Sequence, residues 1–323
     1  MNSHSIHCLL NIFLMHTLVI VEVNGQKTKV IHQTPAFKKH EMFNDIFPLT
    51  ISNFSENVLR SKEAWIIIFH DGTMLKTWKS MTASVRGVVW VGMVDIRQEK
   101  QMLQDLLNID ENNVPNARIY PFGSKNKKLM KHIDVDSPNE AKLKALQSLP
   151  DKTQRIFKSD IHGFVLDSYM SHPSRFPTIL ITDETATPAL FKALAWRFEK
   201  YYNFGVMKNP EAEDLKALGV SGYFLDTPCL LVLVADAQKH GKQLNEYENL
   251  QFSGVPYNKD TMGEFNFPNL MKFLFAINYQ FRHALPGDNH SDNKIVAEML
   301  DIIEIEKKRF EIMDDQVLSR EEL

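Results

Sequence analysis

The residue types that could carry thiol chemistry are sparse in this chain. It has two cysteines, Cys8 and Cys229, and they form no Cys-x-x-Cys pair. Disulfide exchange by the usual route needs two neighbouring thiols, so the sequence predicts no such activity. Cys229 follows Pro228 in an apolar run, which is typical of a small buried side chain. Trapping of another chain through a mixed disulfide at Cys229 is the alternative.

A second candidate for chemistry is the pair His70-Asp71, which follows the apolar run "WIIIF". The pair could serve as a general acid and base, but adjacent residues at a strand end point to opposite sides. Asp71-Gly72 is instead typical of a turn. No His, Cys and Glu residues have metal-ligand spacing, and the 13 glycines form no phosphate loop. We therefore expect no catalytic residue, no metal and no cofactor, and we expect that the protein is not an enzyme.

Size and charge limit the remaining function classes. The chain has 323 residues, of which 44% are hydrophobic, and a formal net charge of −3. This length suffices for two domains of ordinary size. The near-neutral, mixed charge gives no indication of a nucleic-acid surface.

Strands and helices alternate along two stretches of the chain. From Phe47 to Leu149 the pattern predicts strand, helix, strand, helix, strand, helix, a proline-led strand, a further strand and a closing helix. This is the element order of a thioredoxin fold. The pattern returns from Phe176, where "TPALFKALAWRFEKYY" predicts a helix capped by Thr187 with Pro188 at its first position. "LQFSGV" is predicted as an edge strand.

These patterns predict an α/β protein with two tandem thioredoxin-like domains and a C-terminal helix. The predicted boundaries are a signal peptide at 1–25, a leader at 26–42, a first domain at 43–150, a second domain at 159–285 and a C-terminal helix at 292–319. The helix carries an apolar stripe with a charged back. The stripe could dock on the chain's own second domain, or it could form a dimer or a partner contact.

Over residues 43–150 the chain resembles the protein disulfide isomerase family. "FPLTISNFSENVLRSKEAWIIIF" is similar to that family's domain opening, and "VVWVGMVDI" is similar to its third strand. The resemblance implies cis-prolines at Val114-Pro115 and Thr227-Pro228. Two features depart from the active members: the Cys-x-x-Cys turn is absent and shortened, and Ile68 takes the place of their buried carboxylate. The resemblance therefore implies a member that lacks redox activity.

The two ends of the chain predict a route through the endoplasmic reticulum. Residues 8–21 form an apolar run too short for a membrane span, and cleavage after Gly25 fits a signal peptide; an uncleaved anchor is the alternative. The last residues, Arg320, Glu321, Glu322 and Leu323, are similar to a retrieval signal. Asn53 and Asn289 begin glycosylation sequons. We expect a glycoprotein of the endoplasmic reticulum lumen, without a membrane span in the mature chain.

Two functions fit these expectations. In the first, the protein is a chaperone that binds unfolded or client polypeptides in the cleft beside each cis-proline. In the second, it is an adaptor that holds one luminal partner, such as an active oxidoreductase. A retrieval receptor would be a further partner in both. From fold position, the predicted client contacts are Trp65, His70, Met74, Trp78, Val114 and Pro115 in the first domain, and Leu225, Thr227, Pro228 and Cys229 in the second.

Overall fold

The computed structural model describes two mixed sheets that follow one another along the chain. The described residues are 46–123, 128, 131–218, 227–235, 252–281 and 285, with the backbone of Glu22–Val23 and Gln26–Lys27, which pair as a short antiparallel ladder. Each of the two larger sheets has five strands. The predicted α/β class with two thioredoxin-like domains is confirmed.

The first sheet has the predicted element order. Its strands are β1 (Phe47–Pro48), β2 (Trp65–His70), β3 (Trp90–Asp95), β4 (Ala117–Tyr120) and β5 (Ile133–Val135). They lie in the order β1-β3-β2-β4-β5, with β4 antiparallel to both of its neighbours. Two π-helical segments, Ser55–Leu59 and Met102–Leu106, and the helices α1 (Lys76–Ser84) and α2 (Pro138–Gln147) cover the sheet.

The central strand β2 is buried on both faces, as its continuous apolar sequence predicts. Successive side chains of a strand point to opposite faces. Ile66 and Ile68 accordingly join the cluster under α1 and α2, whereas Ile67 and Phe69 join the cluster on the other face. The sheet therefore separates two apolar layers.

The second sheet repeats this plan. Its strands are β6 (Gln154–Arg155), β7 (Phe176–Thr182), β8 (Tyr202–Lys208), β9 (Cys229–Ala235) and β10 (Phe252–Pro256), in the order β10-β9-β7-β8-β6. Its helices are α3 (Ile161–Met170), α4 (Ala189–Arg197), α5 (Ala212–Ala217), α6 (Lys259–Met262) and α7 (Phe267–Phe281). Strand β10 lies at the edge, as predicted.

Three details of the second domain differ from the predictions. Strand β6 pairs with β8, so the predicted start at 159 is too late. Helix α3 was not predicted, although its buried residues follow a helical spacing. Helix α4 starts at Ala189 with Pro188 at the cap position and no side-chain cap, and the hydroxyl of Thr187 lies 3.4 Å from that of Thr153. The predicted C-terminal helix lies outside the described residues.

The two domains pack against each other through side chains at the end of α4. The guanidinium of Arg197 lies 3.3 Å from the carboxylate of Glu63 and donates to the carbonyl of Gly87. The ring of Trp196 meets the ring of Phe122 edge-on, with centroids 4.8 Å apart. We call this contact the junction.

Candidate functional site

The first domain presents a cleft edge where β2 and β3 end, at residues 70–75 and 95–97; we call these residues the first mouth. His70 faces Asp95 in the strand ladder, and the N–H of Ile96 donates to the carbonyl of His70 at 2.9 Å. The backbone then turns through Gly72, which has a φ of 111°. The turn exposes residues 71–73, where the resemblance drawn from the sequence would place the two cysteines of an active isomerase.

His70 holds this turn through its ring. Its Nδ1 accepts a hydrogen bond of 3.1 Å from the N–H of Gly72. Burial lowers the pKa of His70 below its usual 6.5, while the carboxylates of Asp95 and Asp71 oppose the shift and the charge of Arg97 adds to it. The ring is therefore neutral at pH 7 and acts as a structural acceptor.

Arg97 lies beside the turn of the first mouth, on the side of β3. Its guanidinium lies 3.6 Å from the carboxylate of Asp95, and it covers the turn so closely that a Cβ at Gly72 would lie 1.7 Å from Nη2. The positive φ favours glycine at 72, whereas the exposed end of Arg97 could move aside for a side chain there. Beside the turn, the side chain of Leu75 is 68% exposed.

The position that the resemblance equates with a buried carboxylate of active isomerases is apolar in this chain. Ile68 is fully buried and belongs to the same cluster as Trp78 and Ala117. An ionised carboxylate would be costly among these side chains because they offer it no partner. Ile68 offers no proton acceptor at this position.

The structure does not make every predicted contact of the first domain accessible. Trp65 is buried against Trp90, with stacked ring centroids 5.8 Å apart, and Trp78 is buried under the sheet. Met74 and Val114 are half-buried against the core. Trp65 and Trp78, which were predicted as client contacts, are therefore residues of the core.

The proline of the first domain also differs from what the resemblance implied. Among the described residues the cis peptides are His172–Pro173 and Thr227–Pro228. The Val114–Pro115 peptide is therefore trans, and the implied cis-proline at 115 is wrong. Pro115 is half-buried and leads into β4, where the carbonyl of Asn116 accepts from the N–H of Phe69 at 3.0 Å.

The second domain has a corresponding edge where β7 ends and β9 begins, formed by residues 183–185 and 227–228; we call these residues the second mouth. Thr227–Pro228 is cis, as the resemblance implied. The hydroxyl of Thr227 donates to the carboxylate of Asp183, and the ammonium of Lys208 donates to the carbonyl of Thr185. Thr227 and Asp183 are exposed and polar.

Cys229 lies below the second mouth and faces the interior. It is 5% exposed and sits opposite Ile181 in the ladder between β9 and β7. A buried thiol in apolar surroundings is inert, so the described conformation favours the interpretation as a small core residue over a mixed-disulfide trap. Leu225 lies outside the described residues. Within the described part of the chain, no group of three or more His, Cys, Asp or Glu residues could hold a metal ion.

Some residues of the two mouths were not predicted from the sequence. Arg97 and Asp183 each follow a buried strand by one or two positions, which is the signal that could have found them. Leu75 carries no such signal, since an apolar residue at a helix start is ordinarily buried.

The predicted processing sites are only partly described. Asn53 is half-buried; its side chain accepts from the N–H of Thr50 at 2.9 Å and donates to the carbonyl of Pro48 at 3.1 Å. Asn289 and the terminal residues 320–323 lie outside the described residues. The helices that the structure describes include none with the length and apolar character needed to cross a membrane.

Comparison with known proteins finds a sequence relative that covers part of this chain. A protein of Dictyostelium discoideum, provisionally named a protein disulfide-isomerase, is 23% identical over 203 residues. The match covers 60% of this chain and 47% of the relative, so the chain spans about half of that protein's length. No family model matches the chain.

Three solved structures illustrate the low level of similarity to known structures. Full-length ERdj5 is 16% identical with a TM-score of 0.44, covering 72% of this chain and 32% of ERdj5. Zinc-bound human ERp44 is 12% identical with a TM-score of 0.27, covering 79% and 65% of the two chains. The bb fragment of ERp72 is 12% identical with a TM-score of 0.26, covering 75% and 99%. The sequence match and the strand order of the two sheets together show a thioredoxin-like chain that resembles the protein disulfide isomerase family.

Proposed function

We propose that this chain binds extended polypeptide segments in the lumen of the endoplasmic reticulum and acts as a chaperone without thiol catalysis. One observation carries the proposal. The first mouth exposes a turn where a redox-active relative would hold its cysteines, and the thiol nearest the second mouth, Cys229, is buried. In this proposal the two mouths still face a polypeptide, although neither mouth carries an accessible thiol.

The chemistry of the first mouth supports binding over catalysis. The neutral ring of His70 accepts a hydrogen bond from the N–H of Gly72. The buried residue at position 68 is isoleucine, so it provides no proton acceptor beneath the turn. The first mouth offers the exposed residues Asp71 and Thr73 on either side of Gly72, whose N–H is bonded to His70, and the apolar side chain of Leu75. Backbone hydrogen bonds combined with a few apolar contacts recognise extended chains with little sequence preference.

The proposal that the protein is not an enzyme has a direct test. The full chain is assayed for insulin reduction with dithiothreitol, with a two-cysteine disulfide isomerase as the positive control. We expect the rate to equal that of dithiothreitol alone. A rate above that background would overturn the non-catalytic proposal.

The chaperone proposal is tested with unfolding proteins of unrelated chemistry. The full chain, added at near-equal molar ratio without redox agents, is expected to suppress their aggregation. Leu75→Ser should weaken the suppression because it removes the exposed apolar side chain of the first mouth. Leu143→Ser is the matched control, since Leu143 is 54% exposed but lies on α2, outside the first mouth.

The same assay separates the adaptor alternative. If the wild-type chain suppresses none of the test proteins, the chaperone proposal fails. Affinity capture should then recover one luminal partner at near-equal stoichiometry. If suppression is strong but Leu75→Ser and Leu143→Ser behave alike, binding occurs away from the first mouth.

Localisation in the endoplasmic reticulum rests on the C-terminal residues Arg320–Leu323. Deleting these four residues should release the protein into the medium of secretory cells. Appending two residues after Leu323 should have the same effect, because it masks the signal while leaving the sequence intact. Retention of both variants would show that another feature keeps the protein inside the cell.

A further inference from the structure

The turn of the first mouth contains an aspartate followed by a glycine, a pair that can react with itself. Asp71 is exposed and precedes Gly72, and the sequence contains this Asp-Gly pair once. In such a pair the backbone nitrogen of the glycine can attack the side-chain carboxyl of the aspartate and close a succinimide ring. Glycine favours the attack because it has no side chain that would shield its nitrogen.

His70 lies against the nitrogen that has to attack. Its Nδ1 accepts the N–H of Gly72 at 3.1 Å. An amide N–H is a very weak acid, so the attack needs a base that takes the proton while the new bond forms. The charged groups that act on His70 are Asp95, Asp71 and Arg97, and burial lowers its pKa, which leaves the ring neutral at pH 7. The lone pair of Nδ1 therefore already points at the proton that has to leave.

A cation lies beside the same peptide unit. A Cβ at Gly72 would meet Nη2 of Arg97 at 1.7 Å, so the guanidinium lies against the backbone of Gly72. Arg97 is held there by Asp95, whose carboxylate lies 3.6 Å from the guanidinium and accepts the backbone N–H of Arg97 at 3.0 Å. Attack on the carboxyl of Asp71 places negative charge on its oxygens, and a fixed cation beside them stabilises that charge.

The carboxylate of Asp71 is free to turn toward Gly72. In the part of the chain that the structure describes, no hydrogen bond or salt bridge holds this carboxylate. Other aspartates in exposed turns are held: the carboxylates of Asp110 and Asp151 each accept the backbone N–H of the second residue that follows, at 3.0 Å. Asp71 thus combines a mobile carboxyl with a neighbouring nitrogen whose proton is already bound to a base.

We propose that Asp71-Gly72 is a self-modifying site, at which the folded chain closes a succinimide and hydrolysis then yields isoaspartate at position 71. The inference goes beyond the proposed function, since the site reacts whether or not a polypeptide is bound. His70 is the catalytic residue of this reaction, and Arg97 stabilises the charge that develops on Asp71.

The reaction needs no reactant other than water. The carboxyl of Asp71 reacts in its acid form. The nitrogen of Gly72 bonds to Cγ of Asp71, while Nδ1 of His70 takes the amide proton and passes it to the departing hydroxyl, so that one water molecule leaves. Water then adds to the carbonyl carbon of the Asp71 backbone, and the bond from this carbon to the nitrogen of Gly72 breaks. The chain afterwards runs through Cβ and Cγ of residue 71.

The product changes the first mouth without changing the mass of the chain. Isoaspartate adds one carbon atom to the backbone of the turn and leaves its free carboxylate on the α-carbon. The N–H of Gly72 then follows a longer connection from His70, so the hydrogen bond that shapes the turn is altered. The fraction of modified chains should therefore rise with the time since synthesis.

Mass spectrometry of the aged full chain measures the reaction. The folded chain is kept at pH 7 and physiological temperature in water enriched in heavy oxygen, and is then digested with trypsin in ordinary water. The tryptic peptide 63–76 contains Asp71 as its one aspartate. We expect an isoaspartyl form of this peptide that separates by chromatography and carries one heavy oxygen atom.

The chain unfolded in guanidinium chloride is the reference, because it has the same residues without the His70–Gly72 hydrogen bond. The folded chain should form isoaspartate at least about tenfold faster, since a positioned general base contributes roughly a hundredfold or more. An equal or slower rate in the folded chain would overturn the proposal, because the fold would then protect the pair.

His70→Gln tests the base, because glutamine can still accept the N–H but cannot take its proton. The rate should fall at least about tenfold while circular dichroism shows a folded chain. His132→Gln is the matched control, since His132 is a half-exposed histidine of the same domain beside Asp134. A rate in His70→Gln equal to that of the wild type would remove His70 from the catalytic role.

Asp71→Asn tests whether the turn can close the ring at all. An asparagine at this position forms the same succinimide with loss of ammonia and needs no acid form of the carboxyl, so it should react faster than Asp71. Its product is a mixture of aspartate and isoaspartate at position 71. A folded Asp71→Asn chain that keeps its amide would show that the turn holds the two groups apart, and would overturn the proposal.

Discussion

The Nδ1 atom of His70 accepts a 3.1 Å hydrogen bond from the N–H of Gly72. Only an unprotonated ring nitrogen can accept this bond. His70 ends the central strand β2, and Gly72 turns the chain with a φ of 111° toward α1. The protonation state of one side chain is thus coupled to the shape of the first mouth.

The first prediction concerns pH. Since burial lowers the pKa of His70 below 6.5, the unfolded chain binds more protons than the folded chain between the folded pKa and 6.5. The free energy of unfolding should therefore rise with pH across that window and reach its full value above 6.5. In NMR titration, the ring of His70 and the amide of Gly72 should share one midpoint below 6.5.

The control for this prediction is His70→Gln. Burial also lowers the pKa of His132, which adds a pH dependence of the same sign. The difference between wild type and His70→Gln isolates the contribution of His70. A midpoint at or above 6.5, or a Gly72 amide that does not follow the ring, would contradict the coupling.

The second prediction concerns the apolar replacement at Ile68. Ile68→Glu restores a carboxylate in a fully buried position without a partner. We expect the free energy of unfolding in urea at pH 7 to fall by at least about 3 kcal/mol. Ile68→Met, which changes shape but adds no charge, should cost about 1 kcal/mol. Equal costs for the two variants would show that the site tolerates a carboxylate.

The third prediction concerns a buried cation in β4. Arg118, whose side chain is 5% exposed, donates to both oxygens of Asp134 at 2.7 and 3.0 Å and to the carbonyl of Leu107 at 2.8 Å. Asp134→Ala leaves the guanidinium without its counter-ion and should cost about 2 kcal/mol of unfolding free energy. Glu56→Ala breaks the exposed pair with Arg60 and should cost less than about 0.5 kcal/mol. If both variants lose a similar unfolding free energy, water already hydrates the guanidinium of Arg118 and Asp134 is not needed as its counter-ion.

The fourth prediction separates two roles of Asn53. Its amide bonds to the backbone of Thr50 and Pro48, and the next residue, Phe54, is fully buried. Asn53→Ala should cost about 1 kcal/mol of stability, measured on unglycosylated protein. Ser55→Ala also destroys the sequon but should cost little stability, because Ser55 is exposed.

Glycosidase treatment of protein from secretory cells, with Ser55→Ala as reference, measures the predicted glycan on Asn53. Equal stability of the two variants would remove the structural role of Asn53.

Much of the fold could be predicted because local pattern and burial agree. Strand β7 begins at Phe176, where the sequence predicts that the pattern returns, since it is a continuous apolar stretch with clear ends. Helix α3 was missed although Ile161, Phe164 and Val165 have helical spacing. It lies next to the domain boundary, where the polar residues before it are typical of a linker.

The candidate site was predicted less well than the fold. Trp65 and Trp78 were predicted as client contacts from their position in the fold. Both are buried, since their strand and helix positions face the two cores. Whether a side chain lies in a cleft or beneath it depends on contacts with distant elements, which a short sequence window does not contain.

The sequence by itself determined the fold class, the two repeats and the lack of a two-thiol motif, because these depend on residue types and spacing along the chain. The tertiary structure decided that Val114–Pro115 is trans and that Cys229 faces the interior. It also decided that Glu63 and Arg197, which are far apart in sequence, meet at the junction. These outcomes depend on how separate elements pack together, and their energies come from contacts that exist only after folding.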